Sequence, residues 1–290
     1  MKNIIQSLAL VFIVLSLCFG NASCYNKKSS ARDSLEHKVH LLMQSGYANR
    51  NEFGIMLKKA EISGDTLRIV YDYETLDNDE ALQMQRVSKN PTSQYNQLHS
   101  MILMGLTCDN ANENLFDGLK TWQQAAEAGL KVQIIYKGTI GEEEIVISAT
   151  FDAKKIMDEY NHSSPQQIAM LYLNEILELD RNKLSEDLGN GLTLQDVNIQ
   201  GDYLVYTFST IYPYSVLKET INVETERHDL LKQIGDAANT KDKRSYQTLK
   251  LAQKGITYRY LSRNKDQYID ISVSPEEMSK AVFTGFDEEY

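Results

Sequence analysis

Leu67, Ile69, Tyr71 and Tyr73 alternate with Arg68, Val70, Asp72 and Glu74. This is the period-two pattern of a strand with one buried face. The alternation returns in Leu130, Val132, Ile134 and Tyr136, and again in Ile256, Tyr258 and Tyr260, with closing strands expected over 144–150 and 268–273. Gly64-Asp65 and Gly201-Asp202 read as hairpin turns, because glycine takes φ > 0 without a Cβ penalty. Gly138 and Asn264-Lys265-Asp266 supply the later turns. Between the hairpins the period changes: Leu115, Leu119, Trp122 and Ala126 stand at i, i+4, i+7 and i+11, one apolar stripe along a helix. Further helices are expected over 95–106, around Leu230, Leu231 and Ile234, and over 246–254, with others ahead of each set of strands at 33–44 and 166–186. Gly129 and Gly255 occupy the place where a glycine ends a helix before a strand. Ser274-Pro275-Glu276-Glu277 is a capping box with Pro at the first helical position, so a short helix begins there.

The pattern occurs twice. Gly54 to Tyr73 aligns without gaps on Gly191 to Thr210, an offset of 137, matching Leu57 with Leu194, Ile62 with Ile199, Gly64 with Gly201 and Leu67 with Leu204. A second block aligns at an offset of 126, with Ala126, Gly129, Leu130 and Val132 on Ala252, Gly255, Ile256 and Tyr258. The closing strands align at 124, Ile145 on Ile269 and Ile147 on Ile271. Offsets that shrink while element order is kept mean shorter loops in the second copy. Each copy therefore reads as hairpin, helices, hairpin. An apolar strand face needs a helical stripe to cover it, so the fold class is α+β: two tandem repeats, each a four-stranded, largely antiparallel sheet packed on helices. The polar Asn161-His162-Ser163-Ser164 ahead of Pro165 marks the boundary, giving repeats over 33–160 and 161–290.

The first residues follow another logic. Met1-Lys2-Asn3 precedes an apolar run from Ile4 to Phe19 and then Gly20-Asn21-Ala22-Ser23-Cys24. That is a basic start, an apolar stretch and a small-residue cleavage zone, a signal peptide over 1–23. The run is shorter than the roughly 20 residues of a membrane span. Ala22-Ser23-Cys24 resembles a bacterial lipobox, which implies lipidation at Cys24, although Asn21 stands where such boxes usually carry Leu. Residues 24–32, including Asn26-Lys27-Lys28-Ser29-Ser30, read as a flexible polar tether. Localisation is then the cell envelope, lipid-anchored, or periplasmic or secreted if Cys24 is not acylated.

Composition adds exclusions. The 290 residues are 42% hydrophobic and 24% charged, the make-up of a folded globule. Thirty basic residues face 40 acidic ones, and loss of 1–23 removes Lys2 alone, leaving 29 − 40 = −11. No basic block stands against that background, so nucleic acid is not an expected partner. With Cys18 in the signal, Cys24 and Cys108 remain; either Cys24 is acylated or the two form the one available bridge.

The stretch Gly255-Ile-Thr-Tyr-Arg-Tyr-Leu, a polar turn, and Ile269-Asp-Ile-Ser-Val-Ser-Pro-Glu-Glu resembles the ends of small exported bacterial proteins and lipoproteins of unknown function. Leu192–Phe208 resembles their first hairpin. The likeness covers each copy in outline and implies a ββααββ module. Members often carry a cysteine after the last strand, where this chain has Met278. The resemblance implies no activity and transfers no catalytic residue.

Chemistry-bearing constellations are sparse. His37 and His40 stand at i, i+3 on a helix but lack a third ligand with motif spacing, so no metal site is expected. Cys108 has His99 nine residues upstream, and reads as an inert thiol unless a base contacts it. Asp77-Asn78-Asp79-Glu80 lacks the glycine and distal glutamate of a calcium loop. Glu142-Glu143-Glu144 reads as a surface turn. No phosphate-cradling glycine loop, nucleophile elbow or paired-cysteine motif is present, so no cofactor is expected. Seventeen tyrosines suit either a stacking surface or strand packing; Tyr206, Tyr258 and Tyr260 share the buried phase. The leading expectation is a non-enzymatic protein that binds an envelope protein or a small ligand through the polar sheet faces. The candidate residues are Arg68, Asp72, Glu74, Lys131, Gln133, Arg259 and Arg263. The alternative is an envelope hydrolase of unfamiliar type with its site between the repeats.

Overall fold

A computed structural model describes residues 27–44, 51–52, 55–73, 84–108, 118–140, 142–181, 184–185, 187–236 and 243–281. Helix α1 (27–44) precedes strands β1 (Asn51–Glu52), β2 (Ile55–Ser63) and β3 (Thr66–Tyr73). Helices α2 (84–88), α3 (Pro91–Cys108) and α4 (Leu119–Ala128) lead to β4 (Lys131–Ile140) and β5 (Glu143–Asp152). After α5 (Ala153–His162) and α6 (Pro165–Arg181) come β6 (Leu192–Gln200) and β7 (Tyr203–Thr210). Then follow α7 (Tyr214–Thr220), α8 (Val223–Asp236), α9 (Lys243–Leu251), β8 (Gly255–Leu261), β9 (Tyr268–Val273) and α10 (Pro275–Ala281).

The strands form two sheets, ordered β1-β2-β3-β4-β5 and β6-β7-β8-β9, the first with only the two-residue β1 beyond its four long strands. The outer pairings are antiparallel, but β3 with β4 and β7 with β8 pair parallel. The sheets are thus mixed, with a parallel pair at the centre of an otherwise antiparallel order. The cause is connectivity: two-residue turns close the first hairpins, whereas each central pair is joined by a helical crossover, which returns the chain in the same direction.

Ladder registers make the duplication quantitative. At an offset of 137, Ser63↔Thr66 around the Gly64-Asp65 turn becomes Gln200↔Tyr203 around Gly201-Asp202, and both glycines have φ 59°. A glycine at positive φ in the first of two turn positions is the type II′ arrangement. The register also skips at the same place, between Leu57 and Lys59 and between Leu194 and Asp196, so both copies carry one bulge. Beyond the crossover the matches move by two residues from those read in the sequence. Leu67 faces Val132 and Leu204 faces Ile256, which sets the offset at 124 rather than 126. Tyr136 faces Ile147 and Tyr260 faces Ile269, which sets the closing strand at 122 rather than 124.

The shifted offsets extend to the helices. At 124, α4 begins at Leu119 where α9 begins at Lys243. Gly129, with φ 67°, ends α4; its N–H bonds Ala126 O at 3.0 Å and Leu130 N–H bonds Ala125 O at 2.9 Å. Gln253, with φ 54°, ends α9, its N–H bonding Lys250 O at 3.0 Å and Lys254 N–H bonding Leu249 O at 2.8 Å. The left-handed cap is therefore Gly129 in one copy and Gln253 in the other. Gly255 is instead the first residue of β8, its N–H bonding Asp202 O as Lys131 N–H bonds Asp65 O, both at 2.8 Å. A Cβ on Gly255 would lie 2.3 Å from Val273 O, so a close backbone approach explains that glycine. At 122, Ala153 and Pro275 open α5 and α10, and buried Ile156 corresponds to Met278, 0% exposed. Met278 is a core side chain.

Helix starts obey side-chain capping. Ser274 N–H donates to Glu277 Oε2 at 3.0 Å and Glu277 N–H donates to Ser274 Oγ at 3.3 Å, the box expected there. Ser164 and Gln167 form a second box ahead of α6, at 2.7 and 3.2 Å, again with proline at the first helical position. Asn90 Oδ1 accepts from Thr92 N–H at 2.9 Å ahead of α3. Residues 27–32, read as part of a flexible tether, belong to α1: Ala31 is buried and Arg32 Nη1 donates to Gly64 O at 2.9 Å.

The chain divides into two compact units, 1–95 with 109–161 and 96–108 with 162–290, so most of α3 groups with the second unit. In the first, Leu35, Leu67, Ile69, Trp122, Val132 and Phe151 fill the core between sheet and helices. Helix α1 is held on α4 by Lys38 Nζ to Thr121 Oγ1 at 2.6 Å and Gln124 Nε2 to Ser34 Oγ at 3.0 Å. In the second, Leu173, Val197, Leu204, Ile234, Ile271 and Met278 do the same, and α6 packs on α9. Each such side chain contributes about 1.5–3 kcal/mol by leaving water.

Candidate functional site

Aromatic side chains mark the helix-covered face of both sheets. Tyr71 stacks on Tyr136 with ring centroids 4.9 Å apart, and their equivalents Phe208 and Tyr260 stack at 5.4 Å. One step along, copy one has Ile69 beside Ile134, whereas copy two has Tyr206 beside Tyr258 at 5.7 Å. Tyr206 Oη donates to Asp180 Oδ2 of α6 at 2.8 Å. Burial, and then the Asp180 carboxylate, push the Tyr206 phenol well above its ordinary range; burial raises Tyr258 and Tyr260 as well. The Tyr206 phenol stays a neutral donor, and the three rings take part in strand and core packing rather than an open stacking surface.

The opposite face carries the polar candidates. Arg68 faces Gln133 in the parallel ladder, and its Nη1 lies 3.9 Å from Glu61 Oε1. Lys131 Nζ sits 3.1 Å from Asp65 Oδ2, and Asp72 lies 3.6 Å from Nζ of Lys58, the bulge residue. The structure thus brings Arg68 and Gln133 together and sets Asp72 apart, with Val70 and Ile135 in the row between them. Ile135 is only 4% exposed, so this face is not uniformly polar. Glu74 lies outside the described residues, as do Cys24 and residues 1–23.

In the second sheet the corresponding rows hold different chemistry. Arg259 occupies the position of Ile135, and Val205 that of Arg68. Arg259 donates from Nε and Nη2 to the two oxygens of Asp270, both at 2.8 Å, and from Nη1 to Gln200 Oε1 at 3.4 Å. Its guanidinium carbon lies 4.5 Å from the centre of the Tyr268 ring. The Asp270 bonds, opposed by partial burial, raise the Arg259 pKa. A bidentate pair of this kind holds the planar group in one orientation. In the next row, Thr257 Oγ1 and Ser272 Oγ are 2.9 Å apart, and Asn198 Nδ2 of that row donates to Oδ2 of Asp196, which shares the Arg259 row, at 2.5 Å. Arg263 is exposed in the β8–β9 turn, its N–H bonding Tyr212 O at 2.7 Å, apart from the Arg259 cluster. Sequence reading missed Asp270, although opposite charges at facing positions of an expected hairpin were a usable signal.

No known family, characterised protein or solved structure matches this chain.

Other candidate chemistry separates. His99 and Cys108 belong to one continuous helix, α3, with Cys108 its last residue. Nine residues at about 1.5 Å each put roughly 13.5 Å between them along the axis, too far for imidazole to take a proton from that thiol. His99 instead influences Glu175 of α6, whose carboxyl is raised by burial and by Glu178 and lowered by His99. His37 and His40 are exposed on α1. No cluster of three metal-ligating side chains occurs among the described residues, and none of the described helices is long and apolar enough to cross a membrane.

Proposed function

We infer that this chain is an exported protein, lipid-anchored through Cys24 at the cell envelope, whose two sheet modules serve as a non-enzymatic scaffold for a partner or small ligand. One observation carries the reading. The copies keep turn, bulge, helix caps and aromatic stack in equivalent places, while the faces away from the aromatic stack have diverged in chemistry. Packing retained and surface rows rewritten is what duplication of a binding scaffold produces. The Arg259–Asp270–Tyr268 cluster is the best-ordered polar feature of those faces, and a guanidinium so held recognises a carboxylate or carbonyl group.

The test is cross-linking in intact envelopes followed by recovery of the chain. A reproducible partner or ligand is expected, with recovery falling about tenfold for Arg259→Ala and remaining unchanged for Arg68→Ala if the second sheet is the binding face. Recovery of nothing reproducible would refute the scaffold reading. The anchor is tested separately: palmitate incorporation is expected in the parent chain and lost in Cys24→Ser.

A further inference from the structure

Helix α1 is packed down from its first turn. Lys27 Nζ lies 3.4 Å from Oε1 of Glu127, in the last turn of α4. Lys28 lies over Gly129, where an added Cβ would come within 3.1 Å of its Cε and Nζ. One turn on, Ala31 is buried and Arg32 Nη1 donates to Gly64 O at 2.9 Å in the β2–β3 turn. All of these partners belong to the first unit.

Strand direction defines the end of the unit where they meet. There β2 gives way to β3 at Gly64-Asp65, β4 begins with Lys131, and β5 finishes at Asp152 opposite Lys131. The other end carries the β4–β5 turn. The nine steps from Lys131 to Ile140, at about 3.3 Å each, set the two ends roughly 30 Å apart.

Covalent reach ties one of these ends to Cys24. From Cys24 to Lys27 is 27 − 24 = 3 residues. A chain spans at most about 3.6 Å per residue, so the two Cα atoms are no more than about 11 Å apart. A diacylglycerol on the Cys24 sulfur sets that residue among the lipid headgroups, a layer roughly 5–8 Å deep on each side of the hydrocarbon. A long flexible tether would leave the orientation of the unit open. Three residues leading straight into a docked helix do not.

We propose that the lipid on Cys24 holds the first unit directly against a phospholipid bilayer, through the end formed by the start of α1, the end of α4 and the Gly64-Asp65 turn. The proposal rests on the reading of Cys24 as the anchor. Charge does not select this end, because Glu36, Asp65 and Glu127 stand there with Lys27, Lys28, Arg32 and Lys131. Reach selects it. At the far end Glu142, Glu143 and Glu144 are exposed in succession, with Lys137 paired to the last at 2.6 Å, and an anionic leaflet repels such a run.

The test uses the full chain, acylated in cells and reconstituted into vesicles of phosphatidylethanolamine and phosphatidylglycerol that include lipids with a nitroxide on the headgroup. In a Cys108→Ser background, a fluorophore is attached at Glu127→Cys or, in a separate chain, at Glu143→Cys. Both sites are exposed, and the Lys27 pair lost with Glu127 is a surface one of little weight. Quenching should be several-fold stronger at position 127 than at 143. A Gly/Ser insert of about 20 residues between Asn26 and Lys27, with a mean span of roughly 25 Å, should remove the difference while palmitate incorporation continues. Equal quenching at the two positions of an acylated chain, or none at either, overturns the proposal and leaves the Cys24 anchor standing. A difference that survives the insert also overturns it, because reach is then not what holds this end to the lipid. A parent chain that incorporates no palmitate removes the anchor, and the proposal with it.

Discussion

Gly255 and Gln253 form a pair of positions at which the structure predicts opposite responses to opposite substitutions. A Cβ placed on Gly255 would meet Val273 O at 2.3 Å and the Tyr203 ring at 3.0 Å. One of the two contacts is backbone, so a rotamer change cannot relieve it. Crowding of this sort costs about 3 kcal/mol, from which the lower chain entropy of unfolded alanine recovers about 0.4–1 kcal/mol. Gly255→Ala should therefore destabilise by about 2 kcal/mol, a fall in Tm of roughly 4–8 °C. Gln253 sits at φ 54° as the left-handed end of α9. That conformation costs a side-chain-bearing residue about 1–2 kcal/mol, and glycine surrenders about 0.4–1 kcal/mol of it to unfolded-state entropy. Gln253→Gly should stabilise by about 0.5–1 kcal/mol. The assay is urea unfolding followed by circular dichroism at 222 nm, with Trp122 fluorescence reporting the first unit. Were Gly255 the cap and Gln253 an ordinary helical residue, Gln253→Gly would instead lose about 1 kcal/mol. A destabilised Gln253→Gly chain would refute the register-based equivalence.

Three further outcomes follow from hydrogen bonds elsewhere in the second unit. The Tyr206 phenol is raised in the fold, so its contribution is complete below the unfolded value near 10 and is lost as pH rises beyond it toward the folded value. Tyr206→Phe should cost about 1–2 kcal/mol in denaturant unfolding at neutral pH, by stripping Asp180 of a donor, and should flatten the stability loss above pH 10. Equal loss in both chains on the alkaline side would contradict it. Glu277 is held below its ordinary value by the Ser274 backbone N–H, with lesser help from the Ser274 hydroxyl, Arg227 and Lys280 against an opposing burial effect. Its contribution is present above the unfolded value near 4.5 and lost as pH falls through the folded value, so Glu277→Gln should lower stability at pH 7 and shallow the acid limb. Ser274→Ala should cost about 1 kcal/mol by the same unfolding measurement, and a neutral result would remove the capping argument.

Periodicity along the chain was enough to decide the α+β class, the repeated hairpin–helix–hairpin order, the Gly-Asp turns and the cap at Ser274. These depend on neighbours within a few residues: a φ > 0 turn needs glycine, a helix start needs an acceptor, and alternation assigns a side chain to a face. It was also enough to place Tyr206, Tyr258 and Tyr260 inward. It could not set the ladder of β4 on β3 or of β5 on β4. In a strand, sliding by two residues returns every side chain to its own face, so the offsets 126 and 124 satisfied the same pattern of buried positions as 124 and 122. Only hydrogen bonds such as Lys131 N–H to Asp65 O and Gly255 N–H to Asp202 O distinguish them. The same tertiary pairing made the central strands parallel. Contacts of that kind carry no local signature, because they depend on which strand lies beside which.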